Sequence, residues 1–255
     1  MALKFSVCIE MIFTDLPVEE RPKAVADAGL PGVEFWGWQN KDLEALTKAC
    51  EEAGVEIAGF VCEAPGALVD ATNREAWVAG AKQSIDKAAE IGVKTLIVTT
   101  GNEIEGVSRW AQHDAIVNGL RAVAPYAEDK GVTLVLEPLN VLVDHKGYYL
   151  ASSGEGFDIV RAVESPAVKL LYDIYHQQIT EGFLIPTIRE NIELIGHFHV
   201  ADVPGRNEPG TGEINYANVF KAIEETGYAG WVGLEFKPTE DSAAALAKVK
   251  EIAGL

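Results

Sequence analysis

The chain has 255 residues, 48% hydrophobic and 24% charged, and 39 acidic against 21 basic side chains give it a formal charge of −18. This composition excludes intrinsic disorder, and so negative a field disfavours sequence-independent binding of nucleic acid in a chain with no basic run. No stretch of about 18 apolar residues offers a membrane span, and the first ten residues, with Lys4 and Glu10, lack the apolar region of a secretion signal, so the expected location is the cytoplasm and no membrane partner is expected.

In chain order the pattern predicts strand Lys4–Ile9, helix Val18–Ala28, strand Gly32–Trp36, helix Lys41–Ala53, strand Val55–Phe60 and helix Arg74–Ile91. Strand Lys94–Thr99, helix Arg109–Lys130, strand Val132–Glu137, helix Gly154–Val163, strand Val168–Asp173 and helix Phe183–Asn191 follow. Strand Gly196–Val200, helix Tyr216–Thr226, strand Trp231–Phe236 and helix Ser242–Ile252 complete the series. Gly29, Gly54, Gly92, Gly131 and Gly227 each close a helical run, as C′ glycines do. Asn215 and Ser242 are suited to N-cap the last two helices. Strict alternation of β and α elements gives a parallel sheet, and eight such units in this length give a single-domain α/β (β/α)8 TIM barrel over residues 1–255. A doubly wound open sheet would want a glycine-rich turn after the first strand, where Ile9–Phe13 has no glycine. Cys8, Cys50 and Cys62 are odd in number and fit no zinc spacing, which predicts reduced, buried thiols.

Catalytic groups of such barrels sit at the carboxyl ends of the strands. The ends of strands 5 to 8 each carry an ionisable group: Glu137, Asp173, His199 and Glu235. Three carboxylates at one point repel one another, and a divalent cation removes that cost. The set suits one ion, with Mn2+ or Mg2+ favoured by the oxygen content and Co2+ or Zn2+ also compatible. His197 shares the face of His199 one layer deeper and is expected to be a hydrogen-bonded core histidine. Lys237 is a candidate for an anionic or hydroxyl group of a substrate, and Asn102, after strand 4, for a hydroxyl. Trp36 heads a set of aromatics (Trp38, Phe60, Trp110 and Tyr175) able to wall a small pocket. Gly205, Gly210 and Gly212 hint at a phosphate loop, but the usual glycine-rich partner after strand 8 is missing.

The whole chain resembles the xylose-isomerase-like TIM barrels, and within them the hydroxypyruvate isomerase family, with the ketose 3-epimerases as neighbours. The resemblance rests on Leu136-Glu137-Pro138-Leu139-Asn140, the loop Asp144 to Leu150, Tyr172 to Gln177, His199 to Gly210, and Gly233-Leu234-Glu235-Phe236. It implies one divalent metal on Glu137, Asp173, His199 and Glu235, with the two glutamates doubling as acid/base groups. It also implies contacts from His176 and Arg206 to substrate oxygens, with Asn140 beside them, and a homodimer or homotetramer. Two departures stand out: several hydroxypyruvate isomerases place glutamine where His199 stands, and Val143 replaces a second acid of the epimerases. The implied chemistry is removal of a proton α to a carbonyl, with Glu235 as base and Glu137 as counterpart, through an enediolate. Hydroxypyruvate-to-tartronate-semialdehyde isomerisation is the first expectation. Ketose 3-epimerisation (tagatose, ribulose or allulose type) is the alternative, and a metal-dependent lyase or dehydratase stands behind it. A DNA-repair endonuclease would want more histidines than the five present and a basic groove. A catalytically silent barrel would be expected to lack one of the two glutamates, and both are present.

Overall fold

The computed structural model describes residues 2–255. The strands are β1 (Lys4–Cys8), β2 (Gly32–Phe35), β3 (Glu56–Val61), β4 (Thr95–Val98), β5 (Thr133–Leu136), β6 (Val168–Asp173), β7 (Ile195–Val200) and β8 (Trp231–Leu234). They form one closed parallel barrel in sequence order. Closure is the pairing of β1 with β8, from Lys4 opposite Trp231 to Val7 opposite Leu234. The helices are α1 (Arg21–Asp27), α2 (Leu43–Ala53), α3 (Arg74–Glu90), α4 (Arg109–Lys130), α5 (Ser153–Val163), α6 (Ile174–Thr180), α7 (Leu184–Asn191), α8 (Tyr216–Glu225) and α9 (Ser242–Ala253). The expected barrel is therefore the fold.

Alternation along the strands separates two apolar layers. On β4, β5 and β6, Leu96, Val98, Leu134, Leu136, Leu170 and Tyr172 join the main core, with the helices on the outside. The intervening Ile97, Val135 and Leu171 form a small cluster of their own inside the barrel. Leu171 is in register with His197 and Asp173 with His199. Both histidines thus point inward, one layer above the other, with ring centroids 5.1 Å apart.

Three expectations need correction. Alternation is not strict: two helices, α6 and α7, follow β6. The extra helix starts directly at Asp173, whose Oδ1 accepts from the His176 N–H at 3.1 Å and caps it. The last helix is capped by Asp241, not Ser242; the Ser242 hydroxyl instead accepts from the Phe13 N–H at 2.9 Å and ties the β1 loop to α9. Several strands also end a residue or two early, because the chain leaves the ladder where it turns into the top loops. Glu137 and Glu235 lie one step past β5 and β8, each still held by one backbone bond, to Val98 (3.0 Å) and Val200 (3.1 Å). The N-caps at Asn215 and the left-handed glycines Gly54 and Gly131 are as expected. Cys8, Cys50 and Cys62 are free and buried, and burial pushes the thiols of Cys50 and Cys62 up to about 12.

Candidate active site at the carboxyl ends of the strands

One ligand atom from each of Glu137, Asp173, His199 and Glu235 lies within 4.8 Å of the others, and all four residues are buried. His199 is the hub. Its Nδ1 faces Glu137 Oε1 at 3.4 Å, Glu235 Oε2 at 3.5 Å and Asp173 Oδ2 at 4.0 Å, yet makes no hydrogen bond. A buried, unpartnered imidazole nitrogen facing three carboxylates is a donor set able to hold a divalent metal. The residues therefore fit the metal expected from the sequence.

The other side of the His199 ring meets Glu34, which the sequence reading missed. Glu34 Oε1 lies 3.0 Å from His199 Nε2. Its Oε2 accepts from Ser6 Oγ at 2.8 Å and lies 3.0 Å from His197 Nε2. A carboxylate behind a ligating imidazole fixes which ring nitrogen faces the metal and raises its basicity. Burial alone would neutralise Glu34, but His199 and His197 outweigh it and bring its pKa down to about 2. Burial likewise opposes charge on His199, and Glu34 and Glu235 overcome it and hold its pKa well above the usual histidine range. Gly233 keeps room for this pair: a Cβ there would lie 2.4 Å from Glu34 Oε1 and 2.7 Å from His199 Cδ2. His197 has the lower position expected of it, although its Nδ1 has no partner. The signal for Glu34 was a lone acid inside the apolar strand Gly32–Phe35.

Glu235 is held at both oxygens. Trp36 Nε1 donates to Oε1 at 2.8 Å and Arg206 Nη2 to Oε2 at 2.5 Å. Burial works against its charge, but His199, Arg206 and Trp36 prevail and depress its pKa. Glu137 has no comparable donors; its position comes from its main chain, where the Tyr148 hydroxyl donates to its carbonyl at 3.0 Å. Asp173 is buried, which raises its pKa.

Arg206 rides on the loop after β7, with φ 57 in the left-handed region. Asp202 folds that loop by accepting four backbone N–H bonds, from Val203, Gly210, Gly212 and Ile214, at 2.8 to 3.1 Å. A Cβ on Gly212 would lie 2.0 Å from the Val203 carbonyl oxygen. The glycines of this loop thus serve its own packing. The guanidinium lies over the Tyr175 ring, 5.3 Å from its centroid, and its Nε has no partner.

His176 and Asn140 are fully buried against the carboxylate cluster. His176 Nε2 lies 3.5 Å from Asp173 Oδ2, and Nδ1 lies 2.7 Å from Asn140 Nδ2. Burial and the charge of Arg206 bring the His176 pKa down to about 4. Of the remaining candidates, Trp36 stands half-exposed at the rim. Asn102 and Lys237 are exposed: Asn102 bridges to Tyr148 through the main chain, and the Lys237 main chain bonds Arg206 and Asn207. The structure does not bring these two side chains into the cluster. Among the other aromatics, Tyr175 adjoins the cluster, Trp38 bonds Ser84, Phe60 stacks on Phe35, and Trp110 is exposed.

The model of the xylose isomerase-like TIM barrel family matches residues 22–252. The chain belongs to that family. It is 32% identical to a hydroxypyruvate isomerase of Escherichia coli K12 over 96% of this chain and 97% of that protein. It is 30% identical to a 2-oxo-tetronate isomerase of Pectobacterium atrosepticum over 93% and 94%. A solved structure described as a family 2 AP endonuclease from Brucella melitensis superposes with a TM-score of 0.92 at 27% identity, covering 98% and 99%. A D-psicose 3-epimerase of Clostridium cellulolyticum H10 superposes at 0.84 with 21% identity over 98% and 99%, a shared fold. The resemblance to hydroxypyruvate isomerases, with the epimerases as neighbours in fold, is borne out.

Proposed function

We propose that the chain is a divalent-metal-dependent isomerase of small 2-oxo acids bearing a neighbouring hydroxyl, with hydroxypyruvate and tartronate semialdehyde as its pair. The carrying observation is the buried convergence of Glu137, Asp173, His199 and Glu235 around an unpartnered imidazole nitrogen. Relatives named for hydroxypyruvate and 2-oxo-tetronate isomerisation support the substrate class.

A divalent cation on these four residues, Mn2+ or Mg2+ by their oxygen content, supplies positive charge against the developing enediolate. The side chains do the rest. Glu235, fixed in direction by Trp36 and Arg206, takes a proton from C3 of hydroxypyruvate. Return of a proton to C2, with transfer of the C3 hydroxyl proton to the C2 oxygen, yields the aldehyde; Glu137 is the counterpart group. Arg206 retains an unbonded Nε–H suited to the substrate carboxylate, whose approach the net charge of −18 otherwise opposes. A role on DNA of the kind named for the Brucella structure draws no support from that charge or from a cluster with a single histidine. No helix among the described residues is long and apolar enough to cross a membrane, and the free, buried thiols suit the cytoplasm. The exposed Trp110, Leu142, Val143 and Phe183 suit burial between copies in a dimer or tetramer.

The test is conversion of hydroxypyruvate, 2-oxo-tetronate and a panel of ketoses, followed by NMR after chelation and after reloading with Mn2+. Metal-restored conversion of the oxo acids supports the proposal. Selective C3 epimerisation of a ketose replaces it with the alternative.

A further inference from the structure

Asn140 sits between the metal-ligand cluster and the loop after β5, and its amide has only one consistent orientation. Its Oδ1 accepts from the backbone N–H groups of Val143 (2.9 Å) and Asp144 (3.2 Å). Its NH2 group therefore faces Asp144 Oδ2 and His176 Nδ1, each at 2.7 Å. The carboxylate that receives it also accepts from the Tyr175 hydroxyl at 2.8 Å. A second donor, the Asn140 backbone N–H, reaches the same His176 nitrogen at 3.3 Å. With two N–H groups aimed at it, Nδ1 is an acceptor, so the ring proton resides on Nε2. The Nε2 atom is buried and makes no hydrogen bond; Asp173 Oδ2, at 3.5 Å, is its neighbour in the cluster. A buried donor with no partner is costly unless something arrives to accept from it.

We propose that Asn140 is a positioning residue that locks His176 in its Nε2–H tautomer, presenting a neutral donor to the substrate oxygen that gains negative charge. The role of that donor rests on the isomerase reading; the lock does not. In this arrangement His176 stabilises the oxygen on which charge develops without taking up a proton itself. Asp144 holds the Asn140 amide, and Tyr175 holds Asp144, so the loop after β5 reports directly on the imidazole.

The chain has five histidines, few enough for long-range proton–nitrogen NMR of Mg2+-loaded, histidine-labelled protein. A His176→Asn variant assigns the His176 signals by their loss. The expected spectrum shows an unprotonated Nδ1 and a protonated Nε2. In Asn140→Asp, of nearly the same shape, a carboxylate oxygen replaces the NH2 group, and the proton should move to Nδ1. Loss of one such donor costs on the order of 100-fold in kcat on hydroxypyruvate, with a smaller change in KM. Asn140→Ala, should the aspartate variant fail to fold, is expected to give mixed tautomers and an intermediate loss of kcat. A protonated Nδ1 in the wild-type protein, or an unchanged tautomer in Asn140→Asp, overturns the lock. A reversed tautomer with unchanged kcat overturns the donor role. The expected tautomers in a protein that converts none of the oxo acids would uphold the lock and refute the isomerase reading.

Discussion

Replacing Glu34 tests whether a residue outside the four proposed metal ligands governs metal affinity through His199. Its Oε2 accepts from the Ser6 hydroxyl and bonds His197, while its Oε1 lies 3.0 Å from the far nitrogen of His199. In Glu34→Gln the amide is expected to turn its oxygen toward His199 and its NH2 toward His197. There the imidazole can exchange tautomers, because His197 Nδ1 is unpartnered. An oxygen beside His199 is then kept but its charge is lost. Outer-shell changes of this kind cost 10- to 100-fold in metal affinity, and the glutamine variant belongs near the ~10-fold end. Glu34→Leu removes every acceptor, leaves the buried Ser6 and His197 donors unpaired and takes the charge from behind His199, so it belongs near ~100-fold, or about 2.7 kcal/mol of binding free energy. It also forfeits about 1–3 kcal/mol of folding stability for each donor left unpaired. Isothermal titration of the chelated protein with Mn2+, alongside thermal unfolding, measures both. Wild-type affinity in both variants, with the fold intact, would refute the reasoning.

Other outcomes follow from the same geometry. Glu235→Gln is expected to stay folded and lose about 10²- to 10⁴-fold in turnover of hydroxypyruvate, as removal of a general base does, and full activity there would remove the assigned base. Gly233→Ala drives a methyl group to 2.4 Å from Glu34 Oε1 and is expected to cost about 1–3 kcal/mol, read as a fall in Tm and weaker Mn2+ binding. For pH, His176 has a folded pKa of about 4, below the usual 6.5, so its neutral form is the stabilising one. Stability of the metal-free protein is therefore fully present above pH 6.5 and declines as pH falls toward 4, by about 3 kcal/mol at most. His199, with a raised pKa, acts in a different window, losing its contribution as pH rises above 6.5. Denaturant unfolding between pH 6.5 and 4.5 should show this slope in the wild type and a flatter one in His176→Gln.

The quartet at the ends of β5 to β8 was legible because acids and histidines are costly in buried parallel strands, and four at one height leave few explanations. Glu34 carries the same signal, a single acid in Gly32–Phe35, but it lies below the strand ends and binds no residue near it in sequence. The bond from Trp36 to Glu235 is equally invisible locally, since barrel closure brings the ends of β2 and β8 together. The helix α6 escaped notice because the residue that caps it, Asp173, is also a site carboxylate: one oxygen holds the His176 N–H and the other faces His199. Asn102 and Lys237 lie past their strands, where loop packing rather than strand periodicity decides where a side chain points.

Hydrogen exchange into the substrate tests the central claim most directly. The Mn2+- or Mg2+-loaded protein is incubated in D2O with hydroxypyruvate, and the carbon-bound positions are followed by NMR. The account predicts deuterium at C3 of hydroxypyruvate and the appearance of tartronate semialdehyde, both abolished by chelation and by Glu235→Gln. Absence of exchange from hydroxypyruvate and from 2-oxo-tetronate, in protein shown to bind the metal, would contradict it.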